Sequence, residues 1–378
     1  MKTVTLLLTL LAVLSNLPGS AAVNYPVVKG SVIFDPPSNK KFARRSEGAF
    51  ITLKNGYIMH IYNRFKASYL DHASAELVKI LISPDGKKVV SGEEVIVSAA
   101  KGGNVMLPSL LRLKDNRILM IYLEKERVAG AIVCRISMRY SADEGKTWSP
   151  RRHITRGPVY CVVLINGGAI QLANGRICIP VSQCRYKNDC NIDTCGVFYN
   201  LYSDDNGRTW KESSSILFPP DRAVSNAGYQ EPTMAEIANN ELLLYMRGDL
   251  GYLWKSVSKN GGVNWSTPEL DKNFPVVVAP AKIKKLSGSR LVMFYNMNQN
   301  EKNPVKNSRD RSRLAMKTSK DNGKSWSKPV LIEPVTEKHY SYPELVETSD
   351  GAYLLSYYMW DKKIGSFWHL KVKKIFID

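Results

Sequence analysis

The chain has 378 residues, 44% of them hydrophobic, and carries 53 Lys and Arg against 34 Asp and Glu for a formal charge of +19. That length and composition exclude a disordered chain and allow one large all-β domain. The scattered positive charge favours acidic substrates or anionic surfaces. A nucleic-acid partner is not expected, because no aromatic-interleaved basic motif accompanies it.

The chain opens on Met1 and Lys2, an apolar run from Val4 to Leu14, then Pro18, Gly19 and the small residues Ser20, Ala21 and Ala22. This pattern predicts a secretory signal peptide over 1–22 and an exported mature chain, extracellular, periplasmic or lysosomal according to the host. The run is too short for a membrane span, and no later segment offers one. Cys178, Cys184, Cys190 and Cys195 lie close together without a C-x-x-C pair or a neighbouring histidine. Disulfides or buried thiols are therefore expected in place of a metal site.

An octapeptide, Ser-x-Asp-x-Gly-x-x-Trp, recurs four times at even spacing. The copies are Ser141, Asp143, Gly145, Trp148; Ser203, Asp205, Gly207, Trp210; Ser258, Asn260, Gly262, Trp265; and Ser319, Asp321, Gly323, Trp326. Ser83 to Gly86 is a degenerate fifth copy without its Trp. Each reads as a hairpin turn in which Ser and Asp bond nearby N–H groups, Gly supplies a positive φ and Trp packs beneath.

A short apolar strand behind a polar turn recurs six times: Gly56 to Tyr62, Arg117 to Leu123, Arg176 to Ser182, Glu241 to Arg247, Arg290 to Asn296 and Ala352 to Tyr358. Six such units, each long enough for four strands, predict an all-β six-bladed β-propeller over 23–378 as one domain. The expected oligomeric state is a monomer.

Asp-box repeats in such a propeller resemble the sialidase superfamily, and the resemblance covers essentially the whole mature chain. It implies an exo-α-sialidase: an acid/base Asp, a Tyr nucleophile with a Glu partner, and three arginines that hold the substrate carboxylate. A phenol suits this chemistry because the sugar carries a carboxylate on its anomeric carbon, which would repel a carboxylate nucleophile. Arginines offer planar, bidentate, permanently charged recognition. Neither a metal nor an organic cofactor is required, and the implied partner is a sialylated glycan or another acidic carbohydrate.

The resemblance assigns site residues segment by segment. The stretch Tyr62 to Leu77 resembles the loop with the acid/base Asp, which makes Asp71 that residue. Gln230, Glu231 and Pro232, followed by the strand that ends at Arg247, resemble the stretch with the Glu partner and the second clamp arginine. Arg311 matches the third arginine, with Arg313 as the alternative. Tyr340, Ser341, Tyr342 and Pro343 resemble the nucleophile motif, with Tyr342 preferred to Tyr340. The usual Arg-Ile-Pro of the first blade is missing, and Arg44-Arg45-Ser46-Glu47-Gly48 stands in its region. Arg45 is the expected first clamp residue, and losing such a contact would cost about 1.5–3 kcal/mol. Two rival functions fit the same scaffold: a glycan-binding propeller without chemistry, and a related glycosidase for another acidic sugar.

Overall fold

The six apolar repeats become the second strands of six antiparallel sheets in the computed structural model. The structure describes residues 25–377 except 100–102, 129–130, 156–161, 188–190, 222 and 362–366. The proposed signal peptide and Cys190 lie outside the described residues.

Each sheet is a meander with its first strand nearest the axis. The first blade runs Phe42–Thr52, Ile58–Lys66, Ala75–Ile82 and Glu94–Ser98. The fourth runs Gln230–Ala238, Glu241–Arg247, Tyr252–Ser258 and Glu269–Pro275. In the third blade the inner strand is split into Val162–Val163 and Ile170–Gln171, both paired with Ile177–Lys187. The sixth blade takes its first three strands, Lys338–Glu347, Tyr353–Asp361 and His369–Ile375, from the end of the chain. Its outer strand is Gly30–Phe34, so the two ends of the described chain close the ring.

Apolar side chains of neighbouring blades interleave to form the core. Ala49, Met59, Ile61 and Leu77 of the first blade pack with Val105, Ile118, Met120 and Tyr122 of the second. Alternation along each strand gives every sheet two apolar faces, as a ring of stacked sheets requires.

The octapeptides are the hairpins between third and fourth strands. In the first full copy, Ser141 Oγ accepts from the Gly145 N–H at 2.8 Å and donates to Asp143 at 2.8 Å. Asp143 accepts from the Thr147 N–H at 2.9 Å and its hydroxyl at 2.6 Å. Gly145 has φ +77°, and a Cβ there would sit 2.7 Å from Met59 Sδ in the preceding blade. Trp148, Trp210, Trp265 and Trp326 each pack on a core cluster. Ser83 and Asp85 form the same hydroxyl–carboxylate contact at 2.7 Å in the first blade. The sixth blade has no such hairpin because its third and outer strands come from opposite ends of the chain.

Antiparallel order sets the two ends of the ring apart. The octapeptide hairpins mark one end. The starts of the inner strands and the loops between second and third strands, where the expected site residues lie, mark the other.

Among the described residues no helix is long and apolar enough to cross a membrane. Cys178 is a buried thiol, 3.7 Å from the Gly261 carbonyl, and burial pushes it up to about 12. Cys134, Cys184 and Cys195 are buried as well.

Candidate active site

Four inner strands lose register at the same level. The shifts fall between Ser46 and Gly48, Met106 and Ser109, Gln230 and Thr233, and Ser341 and Glu344. In three of them the bulged residue precedes a proline and has a positive φ: Leu107 at 57°, Glu231 at 43° and Tyr342 at 55°. A non-glycine residue is rarely held there, and bulges re-aim side chains that a regular strand would point elsewhere. Glu47 is the residue inside the first-blade shift.

Glu231 and Tyr342 meet. The Tyr342 hydroxyl donates to Glu231 Oε1, and Arg247 Nη1 pairs with Glu231 Oε2. Arg247 also donates from Nη2 to Gln230 Oε1 at 2.7 Å. Its Nε is buried without a hydrogen-bond partner among the described residues. Burial, with Glu231 and Tyr358 nearby, holds the Tyr342 phenol well above its ordinary pKa, so it is neutral at physiological pH.

Asp71 comes from the loop between the second and third strands of the first blade, and its side chain is 62% exposed. Arg44 Nη1 donates to it at 2.6 Å, and Lys125 Nζ lies 3.4 Å from its backbone carbonyl. Partial desolvation works to raise the Asp71 pKa, but Arg44, Lys125 and His72 outweigh it and hold the carboxyl below its usual range.

Arg44, not Arg45, faces this cluster, which corrects the placement expected from sequence. Consecutive residues on a strand point to opposite faces. Arg45 turns to the other side, where it binds Glu93 at 2.8 and 3.2 Å and the Pro37 carbonyl at 3.0 Å. Arg64 and Tyr62 complete that Glu93 network, each at 2.7 Å. Arg44 is fully buried, donates to Ser46 Oγ at 2.7 Å and pairs with Glu47. Its guanidinium lies 4.4 Å from the Phe65 ring, 4.3 Å from Trp368 and 5.3 Å from Tyr358.

Arg311 donates to the Val278 carbonyl at 3.2 and 2.9 Å and to Ser341 Oγ at 3.2 Å, one residue from Tyr342. Arg313, the alternative, is half-buried, and its Nε has no hydrogen-bond partner among the described residues. Tyr340 is buried in the interblade core against Tyr357, away from the cluster.

Tyr358, which sequence reasoning missed, joins the two halves. Its ring stacks on Tyr342 at 5.4 Å and on Trp368 at 5.2 Å. Burial raises its phenol, and the charges of Arg44, Glu47, Arg311 and Asp71 all reach it. Glu47 was missed too: it is wholly buried, bonded to Arg44 and Ser46 and, at 2.7 Å, by Asn63 Nδ2. The cluster therefore sets a phenol–carboxylate pair and an exposed carboxylate at the same end of the ring, with three guanidiniums among them.

The BNR repeat-like domain family matches residues 46–355. The chain belongs to this sialidase-like superfamily of BNR-repeat proteins. The sialidase of Micromonospora viridifaciens is 26% identical to the BNR-repeat chain over 241 residues, 60% of this chain and 34% of that enzyme. This chain thus spans about a third of that curated relative. A protein of unknown function from Dyadobacter fermentans shares the fold at a TM-score of 0.71 and 20% identity, covering 93% of this chain and 99% of the other. The intramolecular trans-sialidase of Ruminococcus gnavus, solved with oseltamivir carboxylate, does so at a TM-score of 0.67 and 14% identity, covering 92% and 97%. At such identities the structural likenesses establish the propeller and nothing finer.

Proposed function

We propose that this BNR-repeat protein is an exported exo-α-sialidase-type glycoside hydrolase that removes terminal sialic acid with retention of configuration. The observation that carries the reading is the hydrogen bond from the buried Tyr342 phenol to Glu231, itself paired with Arg247.

In this mechanism Arg44, Arg247 and Arg311 attract the substrate carboxylate. Asp71 gives its proton to the leaving glycosidic oxygen. Tyr342 Oη bonds to the anomeric carbon as its proton passes to Glu231. Water then attacks the same carbon, Asp71 takes its proton, and Tyr342 leaves with the proton returned by Glu231. The Arg44 contact keeps Asp71 mostly ionised, so the transfer runs through the fraction of Asp71 that has taken a proton from the solvent to which it is open.

The test is release of a fluorescent aglycone from an α-linked sialoside by wild type, Asp71→Ala and Tyr342→Phe. Turnover lost in both variants supports the assignment. Absent wild-type turnover with retained glycan binding would replace it with a lectin-like propeller. Arg44 is already engaged by two carboxylates, which favours as second reading a glycosidase for another acidic sugar. Turnover of a uronic acid glycoside in place of the sialoside would select that reading.

A further inference from the structure

The cluster holds three guanidiniums, those of Arg44, Arg247 and Arg311, and three carboxyl groups, those of Glu47, Asp71 and Glu231. At its back Arg44 and Glu47 are both sealed from solvent, and Arg44 already serves Asp71 as well. An anionic sugar that draws on Arg44 must either leave Glu47 as a buried carboxylate short of its counter-ion or be accompanied by a proton. The first option is costly, because desolvated charge without a counter-ion is unfavourable by several kcal/mol.

We infer that Glu47 takes up that proton, so that binding of an anionic sugar at Arg44 is coupled to neutralisation of the buried carboxylate behind it. This rests on the sialidase reading of the site and makes Glu47 a positioning residue, since its side chain is sealed from the cleft.

The geometry distinguishes Glu47 from the other two carboxyls. Glu231 has a dedicated counter-ion in Arg247 and accepts the Tyr342 proton. Asp71 is open to water, which solvates its charge. Glu47 is sealed from solvent and depends on Arg44, the guanidinium that an incoming carboxylate would share. The groups that face it are Arg44 and Ser46 from its own strand, Asn63 from the second strand and Asp71 from the following loop. Tyr342 and Tyr358 of the sixth blade also feel its charge. None of these besides Arg44 is a cation. His60, against Gly48 on the neighbouring strand, is held neutral by burial. Burial already lifts the Glu47 carboxyl above its usual range, while Arg44 opposes that rise. Weakening the Arg44 contact moves it further in the same direction.

Linkage gives the measurable consequence: affinity falls about tenfold per pH unit on the alkaline side, with about one proton taken up per ligand. The experiment is calorimetric titration of the full chain with the unsaturated glycal form of sialic acid, in buffers of different ionisation enthalpy. Wild type and Asp71→Asn should take up the proton. Glu47→Gln, which keeps the side-chain volume and the Arg44 contact, should bind with none. Uptake that survives Glu47→Gln and vanishes in Asp71→Asn overturns the inference by assigning the proton to Asp71. Binding of the glycal by wild type with no uptake overturns it and leaves the sialidase reading intact, whereas no binding at any pH removes both. If Glu47→Gln does not fold, infrared difference spectra of wild type decide the matter: a new buried carboxylic-acid band on binding supports the inference, and its absence overturns it.

Discussion

Tyr342 donates its phenolic hydrogen to Glu231 across the axis of the ring, from the sixth blade to the fourth, and both residues sit in inner-strand bulges with positive φ. Neither side chain is delivered by a regular strand. The bulge turns each toward the axis, and the proline that follows removes a ladder donor where the register breaks.

Replacing Tyr342 by Phe should separate chemistry from folding. The Phe ring retains the stack on Tyr358, and Glu231 keeps Arg247 as counter-ion. Stability should therefore fall by no more than about 3 kcal/mol, the upper value for a hydrogen bond to a charged group. Turnover of a fluorogenic sialoside should fall at least about a thousandfold. Paired melting curves and steady-state rates check both halves, and a rate within tenfold of wild type would exclude Tyr342 as nucleophile.

Arg44 and Arg45 offer a contrast between neighbours. Arg44→Ala strands Glu47 without a counter-ion, a loss of about 3–5 kcal/mol for a broken buried pair, and removes the cation beside Asp71. Arg45→Ala leaves Glu93 with Arg64 and Tyr62, so its effect on stability should be smaller and its effect on the Michaelis constant for a sialoside slight. Arg44→Lys keeps a charge but not the fork that serves Glu47 and Asp71 together, and should retain the fold while raising the Michaelis constant. Equal kinetic effects at positions 44 and 45 would contradict the assignment.

The repeats were legible in the sequence because they are local. Ser141, Asp143, Gly145 and Trp148 bond and pack within a few residues of one another, and each of the six apolar runs is a second strand flanked on both sides. The closing strand Gly30–Phe34 was not legible, since its partner His369–Ile375 lies more than three hundred residues away. Choosing between Arg44 and Arg45 requires the phase of the strand, which the bulges on either side reset. Glu47 and Tyr358 carry no motif of their own. A usable signal was present in Leu107-Pro108, Glu231-Pro232 and Tyr342-Pro343, an X-Pro pair at the same inner-strand level of three blades. Glu47-Gly48 fills that level in the first blade without a proline.

The octapeptide turns lie at the end of the ring remote from the cluster, so they should affect stability alone. Asp143→Ala removes both acceptors of Thr147 and leaves the Tyr342, Glu231 and Asp71 contacts untouched. The melting temperature should fall while the turnover number per folded molecule stays unchanged. A selective loss of turnover in a fully folded variant would show that this hairpin communicates with the opposite end.

His60 makes the fold sensitive to acid. Its ring is fully buried, stacks on Phe50 at 4.0 Å, and has no hydrogen-bond partner on either nitrogen among the described residues. Desolvation drives its pKa down to about 3, against an ordinary value of 6.5. Between those values the unfolded chain binds a proton that the folded chain does not, so protonation favours unfolding as pH falls. The stabilising difference is fully present above pH 6.5 and is lost progressively toward pH 3, by an amount on the order of 5 kcal/mol at 1.36 kcal/mol per unit. His60→Leu removes the titrating group and should flatten that part of the stability curve. Urea unfolding midpoints of wild type and variant from pH 7 to 4 supply the comparison. Parallel curves would mean that exposed carboxylates, and not this histidine, govern the acid limb.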